Sequence, residues 1–311
     1  MTSPKLEIKF TNNYDEACTF RDAGFEPIEC AFGQYGSVMG PLAMDHHGTE
    51  SHRDGVALRA CRDHYGVLAG EPKFVVTGTP DADAVLAIIA LAGLVPKDAL
   101  DGRFYELVNA HDTDPIGIDL LATDRGVLLA WFNQLPKLSQ SERGFRRAVE
   151  AMQRLLTTGL GTDEIKTVIK SDRGRKRVAM EGILQRLDRS GQELPIPDGL
   201  ETRAVCRGAA VLDEAARIAV VNSSVWGFDV WYRAAPIVVS YASRIKKVTV
   251  GCPDRATAEA LFGPGGLEHV WRELGRGWGG RETIGGSPRG VAKTLGDTFD
   301  TARLIANMLS D

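Results

Sequence analysis

The chain lacks the features that mark several large protein classes. Its five cysteines, at 18, 30, 61, 206 and 252, are scattered, odd in number and form no Cys-x-x-Cys pair. That spacing argues against a zinc ribbon or a disulfide framework and leads to the expectation of a reduced, cytoplasmic protein. No apolar run reaches the ~18 residues that a membrane span needs, so no membrane partner is expected. The opening residues, MTSPKLEIKFTNNYDEA, have neither a basic start nor an apolar stretch, and no secretory signal is expected. There is no basic excess either. The formal net charge of −4 leaves no footprint for duplex DNA, although a local arginine or metal site can still hold a small anion. What remains is ordinary for a globular chain: 311 residues, 43% hydrophobic and 25% charged, enough for one large or two medium domains with a sizeable core.

Patterning predicts an α/β fold in two parts. Residues 5–10 and 26–32 read as strands. In KFVVTGTPDADAVLAIIALAGLVP (73–96) a β-branched run ends in Gly-Thr-Pro-Asp and an apolar helix follows. FYELVNAHDTDP (104–115) repeats an apolar run ending in acids. Helices are expected over roughly 117–134, 142–157 and 162–190. GQELPIPDGLETR (191–203), with two prolines and two glycines, reads as a linker. Beyond it, strands are expected at 216–224, 228–242 and 245–252, and helices at 254–263, 266–274 and 291–309. The expected organisation is a mostly parallel sheet flanked by helices over 1–190, the linker 191–203, and a smaller α/β domain over 204–311.

Metal-type side chains gather at three candidate strand or loop ends: Asp45-His46-His47, Asp81-x-Asp83, and His111-Asp112-x-Asp114. Ligands of open α/β sheets bind at the carboxyl ends of strands. Carboxylates and imidazoles without thiolates suit Mn²⁺ or Mg²⁺, and five carboxylates in one place call for cations, two more naturally than one. Taken singly, each motif has a plainer reading, since an Asp at a strand end commonly caps the next helix. The coincidence of three such clusters favours a metal site. His52 is undecided; His64 and His269 read as structural.

Glycines crowd GWGGRETIGGSPRG (277–290), including Gly279, Gly280, Gly285 and Gly286. Consecutive N–H groups on such a backbone can cup an anion, with Arg281 and Arg289 adding forked contacts to phosphate and Trp278 a stacking face for a base. The plainer alternative is a surface loop of tight turns.

MDHHG and GTPDADAV together resemble the DHH phosphoesterase superfamily, and GWGGRETIGGSPRG resembles the glycine-rich signature of the domain that follows it in that superfamily. The resemblance implies a phosphoesterase with a two-manganese site. On it, Asp81 and Asp83 match the paired aspartates of the first motif. Asp45 matches the bridging aspartate, His46 and His47 match the two histidines, and Asp112 or Asp114 matches a later aspartate ligand. Here the Asp-His-His triplet precedes the Asp-x-Asp pair, the reverse of the usual order, and Thr77 stands where the first-motif histidine belongs.

The expected activity is metal-dependent hydrolysis of a phosphodiester or phosphoanhydride in a small nucleotide, a short single-stranded oligonucleotide or a polyphosphate-type substrate. Asp45, His46 and His47 are the expected catalytic residues. The expected metal ligands are Asp45, His46, Asp81, Asp83, His111, Asp112 and Asp114. The glycine loop, with Arg281 and Arg289, is expected to hold substrate. The alternatives are a nucleotide- or phosphate-binding module without turnover and, behind it, a metal hydrolase acting on amides. Oligomeric state stays open, with a homodimer compatible.

Overall fold

The computed structural model describes residues 5–32, 35–46, 54–100, 102–113, 118–134, 139–158, 206–213, 218–223, 227–232, 235–243, 245–288 and 290–309. It is a mixed α/β chain with two sheets, divided into two compact units, Met1–Ile169 and Lys170–Asp311. The expected helix at 162–190 and the expected linker at 191–203 lie outside the described residues.

The first unit runs β1 (Glu7–Phe10), α1 (Tyr14–Asp22), β2 (Glu26–Ile28), α2 (Val56–Asp63), β3 (Lys73–Val76), α3 (Ala82–Leu91), α4 (Gly102–Thr113), α5 (Asp124–Gln134) and α6 (Glu142–Thr158). Its strands form a parallel sheet in the order β1-β3-β2. A parallel sheet is normally covered on both faces, and the central strand shows why this one reads as a continuous apolar run. Phe74 and Val76 point into the main core with Ile8, Ile28 and the helices α2 to α6. Val75, between them, points the other way, into a smaller cluster with Ala17, Cys30, Phe32 and Val38. Helix α3 has no polar face, and all ten of its residues are buried.

Within the run at 104–115, residues 104–113 belong to α4 rather than to a strand. Phe104, Tyr105 and Val108 are buried together, a spacing that fits one face of a helix and not the alternation of a strand. The helix expected at 117–134 begins only at Asp124, while α6 lies where its periodicity predicts.

The second unit runs β4 (Cys206–Asp213), β5 (Ile218–Ser223), α7 (Phe228–Trp231), β6 (Ile237–Ala242), β7 (Lys247–Gly251), α8 (Arg255–Phe262), α9 (Glu268–Leu274), β8 (Gly279–Gly280), β9 (Ile284–Gly286) and α10 (Leu295–Met308). The sheet order is β4-β5-β6-β7-β9-β8, parallel between β5 and β6 and antiparallel elsewhere. Alternate residues Ile218, Val220, Ile237, Val239, Val248 and Val250 face Ala258, Val270, Trp271, Ala302 and Ile305 on the helices. The stretch expected as one strand over 228–242 is instead a helical turn and then a strand. Pro236 separates them, lacking an N–H for a ladder and restricting the residue before it.

Candidate metal centre

Three backbone events at the carboxyl end of the first sheet bring ionisable groups together. Strand β2 stops at Ile28, and Glu29 turns into the left-handed region at φ +51°. Its N–H donates to Met44 O at 2.8 Å, which ties it to the segment carrying Asp45 and His46. That segment is itself tightly turned, with Ala43 at φ +52° and the Asp45 N–H donating to Ala43 O at 2.9 Å. Non-glycine residues hold such dihedrals only where the surroundings enforce them. Strand β3 then ends, and Asp81 and Asp83 fall at the start of α3.

Ligand atoms of Glu29, His46 and Asp83 all lie within 4.8 Å of one another. His46 Nε2 is 3.0 Å from Glu29 Oε1 and 3.5 Å from Asp112 Oδ2, on the last turn of α4. Glu29 and Asp83 are each 3% exposed, whereas the Asp112 side chain is 41% exposed. Asp112 is therefore the wet member of the group.

Asp83 has a second task. Its carboxylate accepts from the Val56 N–H at 2.9 Å and the Ala57 N–H at 3.0 Å, capping α2 from another helix. The helix has no side-chain cap of its own, because Gly55 stands at the N-cap. A methyl there would sit 2.7 Å from Asp83 Oδ1, so glycine is the residue that lets the carboxylate approach. The Gly55 N–H donates to Asn109 Oδ1 at 2.6 Å.

The electrostatics follow from burial and crowding. Burial alone pulls the His46 imidazole down. The hydrogen bond with Glu29 and the negative charges of Glu29, Asp112 and Asp83 outweigh it and push the group up to about 9. Burial, then the charges of Glu29 and Asp112, raise the Asp83 carboxyl above the usual range, against the pull of His46 and the Ala57 N–H.

Of the residues expected to bind metal, His46 and Asp83 converge, and Asp112 stands beside them. Asp45 is buried next to His46 but is not one of the three whose ligand atoms meet. Asp81 is exposed and caps α3 by accepting from the Ala84 N–H at 2.9 Å. His111 is half-buried on α4 and also outside the group. His47, Asp114 and Arg289 lie outside the described residues. Thr77 is buried, its hydroxyl donating to Asn12 Oδ1 at 2.9 Å. Sequence reasoning missed Glu29. Its one signal was an acid in the middle of EPIECAF, immediately after Ile28, where the parallel strand presents its carboxyl end.

The glycine-rich region is a hairpin at the sheet edge, with Gly279 opposite Gly286 and Gly280 opposite Gly285. A methyl on Gly285 would collide with Gly279 O and the Trp271 ring. The Arg281 N–H donates to Ile284 O at 2.7 Å and the Ser287 N–H to Val248 O at 2.8 Å. Close backbone packing accounts for Gly280 and Gly285, and the N–H groups of Arg281 and Ser287 are engaged in pairing.

Two carboxylates and an imidazole, with no thiolate, are a donor set suited to a hard or borderline divalent cation, and their spacing allows all three to reach one ion. Compared with known proteins, the chain matches no family model, no curated protein and no solved structure.

Proposed function

We propose that the first unit is a divalent-metal-dependent phosphohydrolase, acting on a phosphoester or phosphoanhydride of a small substrate. One observation carries the reading. Glu29, His46 and Asp83, drawn from three separate segments, converge at the carboxyl end of a parallel sheet, where α/β proteins bind ligands. The phosphate part rests on the resemblance of MDHHG and GTPDADAV to DHH phosphoesterases.

Glu29 Oε1, His46 Nε2 and a carboxylate oxygen of Asp83 would hold the ion, and Mn²⁺ is the cation that the DHH resemblance implies. When bound, such an ion supplies Lewis acidity toward a phosphoryl oxygen. Asp112, exposed and beside His46, is placed to accept a proton from water at its Oδ2.

A second reading, a phosphate- or nucleotide-binding module without turnover, is favoured by two observations. Thr77 is a hydroxyl where the superfamily has a ligand histidine, and Asp81 is spent as a helix cap. One experiment separates the two. Mn²⁺ binding is measured in the wild type and in Glu29→Gln, alongside turnover of a chromogenic phosphodiester. The hydrolase reading expects binding and turnover, both lost in the variant. Binding without turnover selects the second reading. Absence of Mn²⁺ binding overturns both as metal proteins.

A further inference from the structure

We propose that Arg59 is a positioning residue for the candidate metal site. By holding the carbonyls of Ala43 and Asp45 it sets the backbone that aims His46 at Glu29 and Asp83. The inference rests on the metal reading above and extends it to a residue whose guanidinium bonds backbone carbonyls.

Arg59 lies on the inward face of α2, with Val56, Ala57 and Ala60 as its buried companions. Only 8% of it is exposed, which is unusual for an arginine among small apolar residues. One terminal nitrogen donates to both Ala43 O and Asp45 O, each at 3.1 Å. Two carbonyls two residues apart reach the same nitrogen because Ala43 is left-handed and the chain doubles back through the Asp45 N–H to Ala43 O. Between them, Met44 O accepts from Glu29, the other left-handed residue. Two uncommon backbone conformations, one on each ligand-bearing segment, are thus latched together, and Arg59 clamps one side of the latch. The Arg59 Nε is buried without a hydrogen-bond partner. A guanidinium kept in the core with a donor unsatisfied carries a cost that an apolar residue would not, and its bonds to the two carbonyls and its attraction to Asp83 and Asp45 offset it.

Helix α2 therefore grips both halves of the site. Its first N–H groups hold the Asp83 carboxylate, and Arg59, one turn on, holds the Asp45-His46 backbone. Groups that orient metal ligands from behind commonly change metal affinity by about 10- to 100-fold when removed.

The test uses the full chain with Arg59→Gln, Arg59→Lys, Ala43→Gly and the double variant Arg59→Gln/Ala43→Gly. Each is confirmed folded by circular dichroism at the working temperature, with Arg59→Lys as the milder change. Mn²⁺ dissociation constants are measured by calorimetry. Amide exchange of Glu29 and Asp45 is followed in chelator. Arg59→Gln is expected to weaken Mn²⁺ at least about tenfold and to speed exchange at both amides. Arg59→Lys, which can reach one carbonyl at a time, is expected to fall in between. Ala43→Gly makes the left-handed turn intrinsically easier and is expected to recover part of the affinity lost in Arg59→Gln. The proposal is overturned if Arg59→Gln binds Mn²⁺ within twofold of wild type. It is also overturned if Arg59→Lys restores full affinity while Ala43→Gly restores none, since Arg59 would then act through its charge. A wild type that binds no Mn²⁺ defeats the metal reading alone. In that case the metal-free exchange rates decide whether Arg59 holds the loop.

Discussion

Replacing Asp83 by alanine is expected to do two separable things, and the contrast with Asp81 tests the placement of both residues. Asp83→Ala leaves the Val56 and Ala57 N–H groups without their acceptor in a buried place. Each orphaned buried donor costs about 1–3 kcal/mol. Part of that is offset, because the variant also removes a carboxylate held unfavourably by burial and by the charges of Glu29 and Asp112. A net loss of about 2–4 kcal/mol follows. Asp81→Ala removes one cap from an exposed position, where water can replace it, at a cost of about 1 kcal/mol. For a unit of this size, 1 kcal/mol is roughly 2–4 °C in Tm, so Asp83→Ala should melt roughly 4–16 °C lower and Asp81→Ala only a few degrees lower. Metal adds the second contrast. An ion at 100 times its Kd stabilises the native state by about 2.7 kcal/mol. Wild type and Asp81→Ala should therefore gain several degrees on moving from chelator to Mn²⁺, and Asp83→Ala should gain none. Differential scanning calorimetry in the two buffers measures both effects. Equal stability losses in the two variants, or a retained Mn²⁺ upshift in Asp83→Ala, would refute the reasoning.

Three further predictions follow from the same structure. Since His46 is pushed up to about 9, it is protonated at pH 7 without metal and must give up that proton to ligate. Mn²⁺ affinity should therefore rise between pH 7 and 9, and calorimetry in buffers of different ionisation enthalpy should show about one proton released per ion; a buffer-independent enthalpy would contradict this. In the metal-free protein, the same raised value contributes stability that is fully present below pH 6.5 and lost as pH rises through about 9. Glu26 is buried and accepts from the Leu42 N–H at 3.1 Å, and burial raises its carboxyl from 4.5 to about 7. Its contribution is present below pH 4.5 and lost as pH rises through about 7, an effect of about 1–2 kcal/mol after allowing for solvent screening. Glu26→Gln, which keeps the acceptor, should remove that dependence from urea midpoints measured at pH 5 and pH 8. In the second unit, Gly285→Ala should destabilise by about 1–3 kcal/mol through its collision with Gly279 O and Trp271. A methyl at Gly279 meets nothing within 4 Å, so Gly279→Ala should stay within about 0.5 kcal/mol of wild type in thermal melts.

Local chemistry made much of this protein readable in advance. KFVV followed by an apolar run after Thr-Pro-Asp could only be a strand, a turn with its cap, and a buried helix, and those became β3 and α3. The helix expected over 142–157 became α6, and strands expected in the second half became β5, β6 and β7, the last part of 228–242 giving β6. Each is set by interactions within a few residues: side-chain periodicity, a cap, a proline. The apolar residues of the run at 104–115 are few enough to fit either period, and burial of Phe104, Tyr105 and Val108 together makes 104–113 a helix.

The metal-type chemistry of Asp45-His46 and Asp81-x-Asp83 was written in the chain, but not which atoms would meet. Asp81 is the extended N-cap of α3 and Asp83 lies in its first turn, so the two point to different sides. Only packing against α2 decided that Asp83 faces inward and Asp81 caps outward. Glu29 joined His46 because a left-handed turn after β2 bonds its N–H to Met44 O, a contact between residues 15 positions apart that no local pattern announces. Sequence by itself determined several of the elements, such as β3, α3 and α6, and the donor types that some of them carry. Tertiary structure alone chose which donor groups meet, because convergence of side chains from residues 29, 46 and 83 depends on how finished elements pack, which short-range propensities do not encode.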